Sequence, residues 1–241
     1  MIKLKILIKG ININYIVSGV GPPLIFLHGW GCELHTFDKL VNQLNEDFTI
    51  YQVDLPGFGD SEIKGDYSLD EYASIINEFC LSLAIINPVL LGHSFGGRVA
   101  IVYSSLYKVN KLILVCSPGV KPRFNLLKWF KVKIYKFFKL FNINLKTGSV
   151  DYKNANGHLK NVLVKAINRD LSCEMENIKC PTLLIYGKND KAVPHYIGQE
   201  INKKIKDSGL VVIDKCGHFP YIERFRYFLI ILRSFLLGDN I

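Results

Sequence analysis

The chain has 241 residues, 49% of them hydrophobic and 21% charged, which is enough to bury one sizeable core and lies outside the range of disordered chains. The formal net charge of +9 is unevenly placed: residues 119–170 hold 12 Lys or Arg against Asp151 and Asp170, and the rest of the chain is close to neutral. That confinement argues against a general nucleic-acid-binding role, and the most apolar runs (LIFLHGW, LILVCS, FLIILRSFLL) break within about ten residues, short of the ~18 that a bilayer span needs.

The N-terminal MIKLKILIKG carries lysine at positions 3, 5 and 9, so it lacks the continuous apolar stretch of a signal peptide and reads as a first strand of a cytoplasmic protein. Strand-like runs then recur along the chain: ILIKGININYIVSG, PLIFLHG, FTIYQVDLPG, PVLLGHS, KLILVCSPG, PTLLIYGKND and LVVIDKCGH. Several contain four to six consecutive apolar residues, the pattern of strands buried on both faces in a parallel sheet covered by helices. Helical segments lie between them. Ser68 followed by Glu71 forms a capping-box pattern ahead of LDEYASIINEFCLSLAI. Further helices are expected over 95–107, from near Pro194, and over 221–237. Alternation of this kind predicts a single α/β domain.

The alternation fails between Gly119 and Cys180, where no strand is evident. Residues 119–170 are read as an insertion after the sixth strand, with the core formed by 1–118 and 171–241. Within the insertion Leu126, Leu127, Phe130, Ile134, Phe137, Phe138 and Phe141 recur at helical spacing with Lys128, Lys131, Lys136 and Lys139 between them, which predicts a helix that covers a cavity with one face and shows a cationic face outward. A solvated cap face is the favoured reading of that charge; contact with anionic substrates or a membrane surface is the weaker one.

The sharpest chemical signal is Gly92-His93-Ser94-Phe95-Gly96-Gly97, set directly after an apolar strand and directly before a helix. A G-x-S-x-G in this setting holds its serine in a strained turn at the carboxyl end of the sheet, where the helix N-terminus favours a developing negative charge. A serine nucleophile needs a base, and the base needs a carboxylate to fix its tautomer. Past Ser94, Asp190 closes the run PTLLIYGKND and His218 closes LVVIDKCGH, so both belong on the edge of the sheet that carries the serine. His195, His158, His28, His35 and His93 fit less well by position, and the alternative acid site after the sixth strand, Cys116-Ser117-Pro118-Gly119, offers no carboxylate. The turn His28-Gly29-Trp30-Gly31 follows PLIFL, where donors to an oxyanion belong, so the backbone N–H groups of Trp30 and Phe95 are the candidates. His28 is assigned a structural role, as is Asp54 within DLPGFGDS. Cys32 is expected to line the pocket as an inert side chain.

Cys32, Cys80, Cys116, Cys173, Cys180 and Cys216 are scattered without a CxxC pair, so neither disulfides nor a zinc site is expected. No dinucleotide or phosphate-binding fingerprint is present, and no cofactor is expected.

With HGWG, DLPGFGDS, GHSFGG, GKND and CGHF in this order, the chain resembles the α/β-hydrolase superfamily, in the style of small carboxylesterases and carbon–carbon bond hydrolases with a helical cap. The resemblance covers nearly the whole chain except the insertion. It implies an eight-stranded, mostly parallel sheet with a cap after strand six, and a triad of Ser94, Asp190 and His218 with an oxyanion hole from Trp30 and Phe95. The implied activity is hydrolysis of a small or medium carboxylic ester through an acyl-enzyme. Carbon–carbon, thioester or lactone hydrolysis, or a lyase reaction, would use the same triad, and a ligand-binding receptor without turnover is the remaining alternative.

Overall fold

The computed structural model describes residues 3–121 and 157–238. Its centre is an eight-stranded sheet in the order β1-β2-β4-β3-β5-β6-β7-β8, with β1 at Leu4–Ile8, β2 at Ile11–Ser18, β3 at Pro23–Leu27, β4 at Thr49–Val53, β5 at Val89–His93, β6 at Lys111–Val115, β7 at Thr182–Gly187 and β8 at Ser208–Ile213. From β4 to β8 across the sheet every pairing is parallel, and only β2 runs against its neighbours. The run expected as one N-terminal strand is therefore a hairpin. Lys9 and Gly10 turn it at φ 49° and 78°, the positive values that a type I′ hairpin turn requires at both central positions.

Unbroken apolar strands divide their side chains between two cores. Ile25 and Leu27 of β3, with Leu112 and Leu114 of β6, face one layer. Leu24 and Phe26, with Ile113 and Val115, face the other. Helix α1 (Asp38–Leu44) lies on the second face, while α2 (Leu69–Ser82) and α3 (Phe95–Leu106) cover the first. The capping box is formed: Glu71 N–H donates to Ser68 Oγ at 3.3 Å and Ser68 N–H to Glu71 Oε2 at 2.7 Å.

The amphipathic segment from Leu126 to Phe141 lies outside the described residues. Where the chain is described again, α4 (His158–Asn168) and α5 (Ser172–Glu176) occupy the described part, 157–180, of the stretch read as strandless. Val162 and Ala166 of α4 are buried against the core. Its polar side is tied to the segment before α2: His158 Nδ1 lies 2.6 Å from Asp66 Oδ1, Asn161 donates to Asp66 Oδ2 at 2.6 Å, and Lys165 donates to the Asp66 carbonyl. Arg169 then pairs with both Asp70 and Glu174.

Beyond β7, α6 spans Tyr196–Asn202. The expected C-terminal helix is two pieces, α7 (Pro220–Glu223) and α8 (Phe225–Leu237), because Arg224 leaves helical geometry at φ −132° and ψ 46°. Among the described residues no helix is long and apolar enough to cross a membrane.

Candidate active site

Strand β5 ends directly beneath a sharp turn. Ser94 takes φ 51° and ψ −110°, outside the regions open to most side chains, and the turn holds it there: Ser94 N–H donates to Val115 O at 3.0 Å and Gly96 N–H to His28 O at 3.0 Å. Such strain persists only where the surroundings impose it. The glycines of the motif supply the room. A Cβ on Gly92 would stand 2.6 Å from Gly96 O, and one on Gly96 would overlap the carbonyl of Leu27. Ser94 is thereby presented at the N-terminus of α3, whose dipole favours negative charge.

Asp190 and His218 arrive from the neighbouring strand ends but on loops. Asp190 lies three residues past β7 and His218 five past β8, so neither closes its strand as the sequence reading had it. The structure nonetheless brings them to the serine. His218 Nδ1 is 2.7 Å from Asp190 Oδ2, and His218 Nε2 is 3.1 Å from Ser94 Oγ. This fixes the roles of the ring: Nδ1–H donates to the carboxylate and Nε2 accepts from the hydroxyl.

Burial alone would push the Asp190 carboxyl up. Donation by the His218 ring and by the N–H groups of Val193 and Ala192, at 2.9 and 2.8 Å, holds it below the usual carboxylate range instead. The carboxylate is thus kept ionised beside the His218 ring.

The backbone around His218 is clamped. Glu223 accepts from Gly217 N–H at 2.7 Å and from Phe219 N–H at 3.0 Å, while His93 Nε2–H donates to His218 O at 2.9 Å. Tyr221 O–H donates in turn to His93 Nδ1 at 3.2 Å. Sequence position had set His93 aside because it precedes the serine. The available signal was a histidine closing an otherwise apolar central strand, where a buried polar group must have partners. His28 is structural as expected: it is fully buried, donates to Gly29 O at 2.8 Å and accepts from Leu55 N–H at 3.0 Å.

Burial pushes the His93 imidazole down to about 3 and also lowers that of His28. Both therefore fold as neutral rings and become protonated in the unfolded chain below about 6.5. Stability is fully present above that pH and is lost as the pH falls toward the folded values. In urea unfolding between pH 6 and 5, wild type is expected to lose up to about 1.4 kcal/mol per pH unit for each ring. His93→Asn should have a correspondingly shallower pH dependence; an identical slope in the two proteins would contradict this assignment.

Trp30 sits across from the serine turn, its ring edge-on to Phe95 at 5.2 Å and to Phe58 at 4.9 Å. Among the described residues neither Trp30 N–H nor Phe95 N–H is donated to a backbone carbonyl outside the regular elements. These groups border a cavity of about 440 Å³ that Ser94, His218, Cys32, Leu163, Ile167, Val193 and Arg98 help to line. The floor and walls are mostly apolar, as small-molecule sites are.

Cys116 lies behind the acid at φ 45°, and its sulfur, an Asp190 oxygen and a His218 nitrogen fall within 4.8 Å of one another. Burial pushes this thiol well up, which keeps it protonated, and the facing atoms of Asp190 and His218 are engaged with each other. The cluster suits packing rather than metal coordination.

Known proteins match this architecture throughout. The family model for the alpha/beta hydrolase fold matches residues 22–150 and 137–225. The pimeloyl-[acyl-carrier protein] methyl ester esterase of Vibrio campbellii is 27% identical over 93% of this chain and 98% of its own. Its namesake from Wigglesworthia glossinidia brevipalpis is 30% identical over 90% and 94%. The esterase from Exiguobacterium antarcticum superposes with a TM-score of 0.81 over 98% of this chain and all of its own, at 24% identity. The chain belongs to the α/β-hydrolase family.

Proposed function

We propose that the protein is a serine hydrolase acting on small or medium carboxylic esters, with Ser94 as nucleophile, His218 as base and Asp190 as its orienting acid. The observation that carries this reading is the continuous hydrogen-bonded path from Asp190 through His218 to Ser94 Oγ at the base of the cavity. Ser94 Oγ attacks the ester carbonyl as its proton passes to His218 Nε2, and the carboxylate of Asp190 stabilises the imidazolium. The tetrahedral oxyanion is received by the N–H groups of Trp30 and Phe95. Collapse expels the alcohol, which takes the proton from His218. Water then enters, gives a proton to His218 and attacks the acyl-enzyme; the released acid leaves Ser94 with its hydroxyl restored. No step calls for a cofactor.

Relatives named as methyl ester esterases favour an ester over carbon–carbon or lactone substrates, and an apolar cavity of about 440 Å³ suits a short to medium chain. Among the described residues no disulfide joins any of the six cysteines, which suits a reducing compartment such as the cytoplasm. Incubation with a fluorophosphonate probe, followed by peptide mapping, tests the reading. Label on Ser94 in wild type and none in Ser94→Ala is the expected result. Folded wild type that takes no label would favour a binding protein without turnover.

A further inference from the structure

Arg98 sits one helical turn after Ser94 on α3, lines the same cavity, and is only 7% exposed. A buried guanidinium is costly unless an anion or a full set of acceptors meets it. Here the described partner is a single neutral group, the carbonyl of Arg169, at 3.1 Å. The acids nearby are otherwise engaged. Asp70 and Glu174 pair with Arg169, and Asp170 accepts from Ser172 N–H and Lys121 N–H at 2.9 and 3.4 Å. Among the described residues no carboxylate forms an ion pair with Arg98, and burial pushes its guanidinium down to about 10, with the charge of Asp170 opposing only part of that fall. Its remaining nitrogens are not among the sealed polar atoms left without a partner, as fits a group whose free N–H fork faces the cavity.

A neutral donor would serve equally well to hold the Arg169 carbonyl. What the guanidinium adds is a charge and a planar pair of donors matched to a carboxylate. Among the described residues it is also the one Lys or Arg lining the cavity, whose walls include Trp30, Phe95, Leu163, Ile167 and Val193. A planar guanidinium fork matches the two oxygens of one carboxylate. Four residues along a helix separate its Cα from that of Ser94 by about 6 Å, a span that a few methylene groups bridge.

We propose that Arg98 is the specificity residue of the cavity and receives a free carboxylate carried by the substrate, so that the preferred esters are half-esters of short dicarboxylic acids. This rests on the ester-hydrolase reading above. Compared on monomethyl adipate and on dimethyl adipate, wild type is expected to favour the anionic half-ester. In Arg98→Met the ratio of kcat/KM for the two should fall at least about tenfold, about 1.4 kcal/mol, whatever loss is common to both. Arg98→Lys should recover part of that ratio, because it keeps the charge but not the fork.

Equal losses on both esters, or a wild type without preference, would overturn the proposal and make Arg98 a purely structural tie. Calorimetric titration of monomethyl adipate into Ser94→Ala, with and without Arg98→Met, reads the same site without turnover. Binding that the Arg98 change weakens at least about tenfold supports the site, and binding that it leaves unchanged overturns it. Should wild type hydrolyse neither ester, the ester-hydrolase reading fails while this titration still decides the role of Arg98.

Discussion

His218→Ala is expected to lower kcat on a small activated ester by a factor on the order of 10⁴ to 10⁶ while moving KM little. The geometry explains both halves of that expectation. With Nε2 3.1 Å from Ser94 Oγ, the imidazole is placed to take the hydroxyl proton as the new bond forms and to return it to the leaving alcohol. Without it the serine must attack as a neutral hydroxyl. A small neutral ester would rest mainly on apolar walls that the substitution leaves in place. Asp190→Asn should cost about 10⁴ in kcat by a different route: an amide facing Nδ1 favours the tautomer that carries the proton on Nε2, which then can no longer accept from Ser94. Initial rates with circular dichroism to verify folding give the comparison. A loss below tenfold for His218→Ala in a folded protein would remove His218 from the proton path.

The second large effect concerns stability. Asp54 is 1% exposed, and its carboxylate accepts from Leu34 N–H at 2.7 Å, Asp60 N–H at 2.9 Å and Asn14 Nδ2 at 2.7 Å. It thus joins β2, the loop after β3 and the turn after β4 through one buried group. Asp54→Ala strands three donors where water is scarce, each costing about 1–3 kcal/mol, with partial relaxation bringing the expected total to about 3–5 kcal/mol. For a chain of this size that corresponds to a fall of roughly 10 °C in Tm. Because the loop from Gly29 to Leu34 carries Trp30, kcat/KM should decline as well. Asp54→Asn keeps one acceptor oxygen and should lie between. Thermal and urea unfolding at pH 7 measure it, and a change under about 1 kcal/mol would show that β2 and the two loops are held by packing alone.

Much of this protein was legible in the linear chain because its signals are local. Apolar runs such as PLIFL and KLILV are long enough to announce strands buried on two faces, and the Ser68/Glu71 pair announces a helix start that depends on residues three apart. The motif around Ser94 was readable for the same reason: a turn that needs Gly92 and Gly96 writes those glycines beside the serine. Candidates for acid and base followed from chain order.

What tertiary structure decided depends on residues far apart in sequence. Ser94 and His218 are 124 positions apart and their distance of 3.1 Å is set by how loops leave neighbouring strands, which periodicity does not encode. The support of His218 by His93, Tyr221 and Glu223 was invisible for that reason, and so was the isolation of Arg98, since a buried cation differs from a solvated one only in what folds around it. Sequence determined which elements form and which residue types carry the chemistry; only the packing of those elements decided which side chains share a proton, which share a charge and which are left facing the cavity, because hydrogen bonds and burial act over a few ångströms in space and are blind to distance along the chain.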